Sequence, residues 1–70
     1  MRIRDLREDH DYTQQYVASY LNVRQNTYSQ YESGKRQIPL DSLIRLANLY
    51  KTSTDYILGR TNNPKPYNDL

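Results

Sequence analysis

The sequence predicts a small all-α domain of five short helices. Apolar residues recur at three- and four-residue spacing along most of the chain, and capping residues stand where those stripes begin. No convincing strand can be read. Seventy residues hold one domain, and a chain of this size buries only about 60% of its unfolded surface, so modest stability is expected.

The first helix is expected from about Arg2 to Asp9, with Ile3 and Leu6 as a short apolar stripe. Thr13 is placed to cap the second, since its hydroxyl can accept an otherwise unpaired backbone N–H. Val17, Ala18 and Leu21 form that helix's inner face. Asn22 then marks a sharp turn, because asparagine tolerates the left-handed conformation that ends helices. Val23 anchors the turn, and a third helix covers about Arg24 to Ser33. Its Tyr28 and Tyr31 point towards the core, and Gly34 ends it. Pro39 opens the fourth helix, whose apolar face is read as Leu40, Leu43, Ala47 and Tyr50, flanked by Ile44 and Leu46. Ser53 caps the fifth, Asp55 favours its positive dipole end, Ile57 and Leu58 are its apolar residues, and Gly59 ends it. The domain is therefore read as residues 1–59, and 60–70 as a polar, flexible tail.

A net charge of +2 says little about partners, but its distribution says more. Between Tyr12 and Leu40 the only acid is Glu32, alongside Arg24, Lys35 and Arg36, whereas Asp5, Glu8, Asp9 and Asp11 crowd into and just after the first helix. One part of the molecule can thus face phosphate without repelling it. Cysteine is absent, so there is neither a disulfide nor a thiolate metal site. No apolar run approaches the roughly 20 residues of a membrane helix, and the charged start MRIRDLRED does not read as a signal peptide. A cytoplasmic protein is the expectation. The aromatic residues are eight tyrosines, with no Phe or Trp. A tyrosine needs its ring buried and its hydroxyl paired or wet, so rings are expected at the rim of a thin core.

With Tyr28 and Tyr31 turned inward, Gln25, Asn26, Ser29, Gln30 and Ser33 occupy the opposite side of the third helix. That side offers amides and hydroxyls and no carboxylate. An amide presents a donor and an acceptor together, which lets Gln or Asn pair with the N6/N7 edge of adenine in the major groove. A solvated helix face is often Gln- and Ser-rich too, and for this helix alone that reading stands first. The flanking segments reverse the order.

Those segments are LREDHDYTQQYVASYL, YESGKRQIPLDSLIRLANLY and STDYILGRT, with the turn Glu32–Arg36 followed by Ile38-Pro39-Leu40 the most specific part. Over about residues 3–60 the chain resembles the Cro/C1-type helix-turn-helix family, which includes lambdoid phage repressors. The resemblance implies a five-helix, lambda-repressor-like domain whose second and third helices form the helix-turn-helix, the third lying in the major groove. It places Gln25, Asn26 and Gln30 at base-reading positions. Gln14, Arg24, Thr27, Ser29, Lys35 and Arg36 fall at positions beside the DNA backbone, with Thr27 and Ser29 also within reach of a thymine methyl. Arg24 occupies a slot that often holds a small capping residue; its charge suits phosphate, but it caps poorly. Arg7 and Glu32 match an ion pair of some phage repressors. Tyr28 and Tyr31 depart from the commoner aliphatic residues or tryptophan, and their hydroxyls would then emerge near DNA. Tyr16 and Tyr20 fall at usually polar, exposed positions.

The function so implied is sequence-specific duplex DNA binding by a transcriptional regulator, a repressor, acting as a homodimer on a palindromic operator. The fifth helix supplies the candidate dimer contacts Tyr56 and Ile57, with Leu58 closing the core. The alternative is an antitoxin or regulatory adaptor whose main partner is a protein, touched through Tyr16, Tyr20 and Ile57. Catalysis finds little support: His10 is the single histidine and reads as a helix-terminal surface residue, and no metal-ligand cluster, calcium loop or phosphate-cradling glycine loop is present. No cofactor, metal or small-molecule ligand is expected.

Overall fold

A computed structural model describes residues 1–66. It contains five helices: α1 (Ile3–Asp9), α2 (Gln14–Leu21), α3 (Gln25–Ser33), α4 (Leu40–Leu49) and α5 (Thr54–Leu58), with no strand among the described residues. Several boundaries have a local chemical cause. Thr13 is extended, and its Oγ1 accepts the Tyr16 N–H at 3.0 Å. Ser53 does the same for Tyr56 at the head of α5. Asn22 ends α2 in the left-handed conformation (φ 64°), and the Val23 N–H returns to the Ala18 carbonyl at 3.0 Å. Gly34 ends α3 at φ 81°, with open space where a Cβ would stand, so its conformation and not crowding calls for glycine.

The core joins one buried stripe from each helix. Ile3 of α1 meets Val17, Ala18 and Leu21 of α2, Tyr28 and Tyr31 of α3, Leu43, Leu46 and Ala47 of α4, and Ile57 of α5, with Ile38 and Tyr50 closing the loops. Ala18 is 2% exposed, and its small side chain lies in the core between α2 and its neighbours. Tyr20 fastens α2 to α4. Its hydroxyl donates to the Arg45 carbonyl at 3.1 Å, while Arg45 Nη2 donates to the Tyr20 carbonyl at 2.7 Å.

The fold corrects three expectations. First, Leu40, assigned to the inner face of α4, and Ile44, read as flanking it, are 70% and 45% exposed, whereas Leu46, also read as flanking, is 0% exposed. The inner face is Leu43, Leu46, Ala47 and Tyr50. A stripe that also included 40 and 44 would span more of the helix circumference than one packed face can cover. Second, Tyr28 lies fully inside the core, not at its rim, and its hydroxyl does not emerge near the outer surface. Third, Ile57 and Leu58 exchange roles: Ile57 is 0% exposed and closes the core, whereas Leu58 is 44% exposed. Beyond α5, the segment from Arg60 makes hydrogen bonds to the body as far as Pro64. Arg2 donates from Nη1 to the Tyr56 and Thr61 carbonyls, each at 2.8 Å, and from Nη2 to Asn62 Oδ1 at 2.9 Å. Thr52 Oγ1 donates to the Pro64 carbonyl at 2.6 Å. The remainder of the expected tail, 67–70, lies outside the described residues.

Candidate nucleic-acid interface

The site is built around the way α3 is held. On its inner side Tyr28 and Tyr31 are buried, their rings meeting edge-to-face at 6.4 Å. Beside them, Arg7 of α1 clasps Glu32 of α3 with two bonds, Nε to Oε2 at 2.7 Å and Nη2 to Oε1 at 3.2 Å. Gln14 Nε2 adds a third donor to Oε1 at 3.0 Å. Arg7 Nη1 also donates to the Tyr12 carbonyl at 3.0 Å, tying the α1–α2 loop to the same network. The two side chains of the pair are 13% and 5% exposed. Burial by itself opposes the Glu32 charge, but donation from Arg7 and Gln14 outweighs it and holds the carboxyl below its usual 4.5. The Tyr28 hydroxyl has no hydrogen bond of ordinary geometry, and its ionisation is driven upward by burial and then by the Glu32 carboxylate.

The opposite side of α3 is open. Gln25 and Asn26 are exposed, as is Ser33; Thr27, Ser29 and Gln30 are half-buried. Arg24 stands before the helix with an extended backbone and makes no capping bond. Lys35 and Arg36 follow the helix on the surface. The chain doubles back after Gly34, so Arg36 meets Gln30 twice: its N–H donates to the Gln30 carbonyl at 3.2 Å, and its Nε donates to Gln30 Oε1 at 2.9 Å.

The structure therefore brings Gln25, Asn26, Ser29, Gln30 and Arg36 to one side of α3, with Gln14 at the end of the neighbouring helix. Two of these side chains have partners that sequence reasoning did not supply. Gln14 is a member of the Arg7–Glu32 network, and Gln30 has its acceptor taken by Arg36, leaving its amide N–H groups outward. A six-residue separation across a glycine cap was the available signal for the second. Of the candidate dimer contacts, Ile57 is inaccessible and the Tyr56 ring is covered by the Arg2 guanidinium, 4.2 Å from its centroid. Tyr16 is 50% exposed and packs on Tyr12 at 4.6 Å, whereas Tyr20 is turned to Arg45.

Two short helices joined by a left-handed turn, the second held by its inner side and presenting a polar outer face, define the helix-turn-helix class of DNA-binding domains. The chain belongs to the Cro/C1-type helix-turn-helix family, whose model matches residues 3–57. It is 42% identical to the uncharacterized HTH-type transcriptional regulator YobD of Bacillus subtilis over 65 residues, 93% of this chain and 58% of that protein. It is 42% identical to the regulator ImmR of the same organism over 59 residues, 84% of this chain and 46% of ImmR. The cryptic phage CTXphi transcriptional repressor RstR of Vibrio cholerae is 41% identical over 49 residues, covering 70% of this chain and 44% of RstR. The chain thus spans about half the length of these relatives. No solved structure gives a significant match. Each of these relatives is named a transcriptional regulator or repressor, and no described helix is long and apolar enough to cross a membrane.

Proposed function

We propose that this domain binds duplex DNA sequence-specifically, as part of a transcriptional repressor, with α3 in the major groove. The observation that carries the reading is the asymmetry of α3: its inner side is fixed by two tyrosines and a buried ion pair, and its outer side exposes amides without a carboxylate. Gln25, Asn26 and the free N–H groups of Gln30 read base edges. Gln14, Arg24, Thr27, Ser29, Lys35 and Arg36 lie against sugar and phosphate and set register. Arg36 also holds Gln30, so its loss would disturb both register and reading.

So few contacts per domain favour a homodimer on a palindromic operator, with half-sites about one helical turn apart, ~34 Å. With Ile57 buried and Tyr56 covered, the dimer contact on α5 moves to Leu58. This residue borders an apolar groove of about 360 Å³ together with Met1 and Leu40. The name of RstR, a transcriptional repressor, supports repression over activation.

Selection of bound sequences from a random duplex pool tests the reading. A two-fold symmetric enriched motif is expected. The variant Gln25→Ala with Gln30→Ala should lose about 1–3 kcal/mol of discrimination at each contacted base pair. Unchanged selection by that variant would refute base reading by α3 and favour a protein partner.

A further inference from the structure

We propose that Arg4 of α1 is an additional phosphate contact, delivered through a cleft between α1 and α3; this rests on the DNA-binding reading above. The cleft, about 250 Å³, is lined by Arg4, Arg7, Gln14, Ser29, Glu32 and Ser33. Ser29 and Ser33 stand one turn apart on the outward side of α3 and form one edge of the cleft. Gln14 opens the helix that crosses the DNA backbone in this class. A phosphate lying along that edge therefore enters a space that already contains a guanidinium.

The charges in and around the cleft decide which guanidinium is available. Arg7 is committed to Glu32 by two bonds and is 13% exposed, so it cannot turn outward without uncovering a carboxylate. Glu32 in turn is neutralised by Arg7, takes a further hydrogen bond from Gln14, and does not confront an incoming anion with a free charge. Arg4 differs. Its partner is Glu8, one turn along the same helix at 3.3 Å, and the two side chains are 68% and 52% exposed. Such exposed pairs contribute little. When Arg4 leaves, Glu8 keeps Arg7 Nη2 at 4.0 Å. Exchange of Glu8 for phosphate is therefore inexpensive and leaves the buried network intact. Arg4 then serves phosphate alongside Arg36, and Glu8 acts as the internal competitor for Arg4.

The test is a salt titration of binding to a mixed-sequence duplex, where base reading plays no part. Wild type, Arg4→Gln, Arg4→Lys and Glu8→Gln are compared. Losing one phosphate contact removes about 0.9 from the slope of log affinity against log salt, so for Arg4→Gln the loss of affinity between about 50 and 200 mM salt shrinks by roughly 3.5-fold. Arg4→Lys restores most of the slope, and Glu8→Gln tightens binding at low salt. The opposite signs of the Arg4 and Glu8 variants are the signature, because loss of a merely structural pair would move both the same way. An unchanged slope in Arg4→Gln, or weakening by Glu8→Gln, overturns the assignment while leaving base reading by Gln25 and Gln30 intact. Failure of the wild type to bind duplex DNA overturns both.

Discussion

The two sides of α3 obey different rules. The inner side is over-determined: Tyr28 and Tyr31 are buried, and Glu32 receives Arg7 and Gln14. The outer side is less constrained: its side-chain bonds both fall on Gln30, from Arg36 Nε to Oε1 and from the Ser33 hydroxyl to the carbonyl. Rigidity on one side is what makes the other useful, since a polar group can discriminate between bases only if its position is fixed by something other than the base. Substitutions on the inner side should therefore change stability and leave sequence preference alone, and substitutions on the outer side should do the reverse.

The largest break comes from Glu32→Ala. It strands the Arg7 guanidinium, 13% exposed, without its carboxylate, and should cost about 3 kcal/mol. Thermal denaturation followed by circular dichroism measures it. A melting temperature equal to that of the wild type would mean the pair holds nothing. The same pair predicts a pH effect. The Glu32 pKa is lowered on folding from 4.5, so its contribution is fully present above that value and is lost as pH falls through the folded value. Stability should drop more steeply below about pH 4.5 in the wild type than in Glu32→Gln. Parallel acid-unfolding curves for the two proteins would contradict this.

A middle-sized effect is expected for Gly34→Ala. A side chain at φ 81° costs about 1–2 kcal/mol even though no atom obstructs it. Because Gly34 also turns Arg36 back onto Gln30, this variant should weaken DNA binding beyond what the stability loss explains. The smallest effect sharpens the comparison from inside. The Tyr50 hydroxyl is buried without a hydrogen-bond partner among the described residues. Tyr50→Phe should be neutral or stabilise by up to about 1 kcal/mol. A clear loss of stability on chemical denaturation would show that the hydroxyl has a partner after all.

What could be read from the sequence divides along the same line. The caps at Thr13, Asn22, Gly34 and Ser53 were legible because each residue type has one local reason to be there. Tyr28 and Tyr31 could be assigned inward because they alone form an apolar stripe on α3. The α4 face was misread at Leu40, and Leu46 rather than Ile44 belongs to it, since that helix is apolar over most of its circumference and periodicity does not say which part its neighbours cover. Ile57 and Leu58 are adjacent and equally apolar, and which one closes the core depends on the docking angle of α5, a tertiary property. The Arg2 clamp on Tyr56, Thr61 and Asn62 joins the two ends of the chain and leaves no local trace. Arg4 was passed over for a related reason: the sequence shows it beside Glu8, but only the packing of α1 against α3 puts it in a cleft with Ser29 and Ser33.

The central claim is that a free amide on the open side of α3 recognises a particular base. Affinities of the wild type and Gln25→Ala, measured across a series of selected duplexes each altered at one base pair, test it most directly. The account predicts that Gln25→Ala loses its preference at one position per half-site and retains the others, with an unchanged melting temperature. Equal weakening on every duplex, or a preference profile identical to that of the wild type, would contradict it.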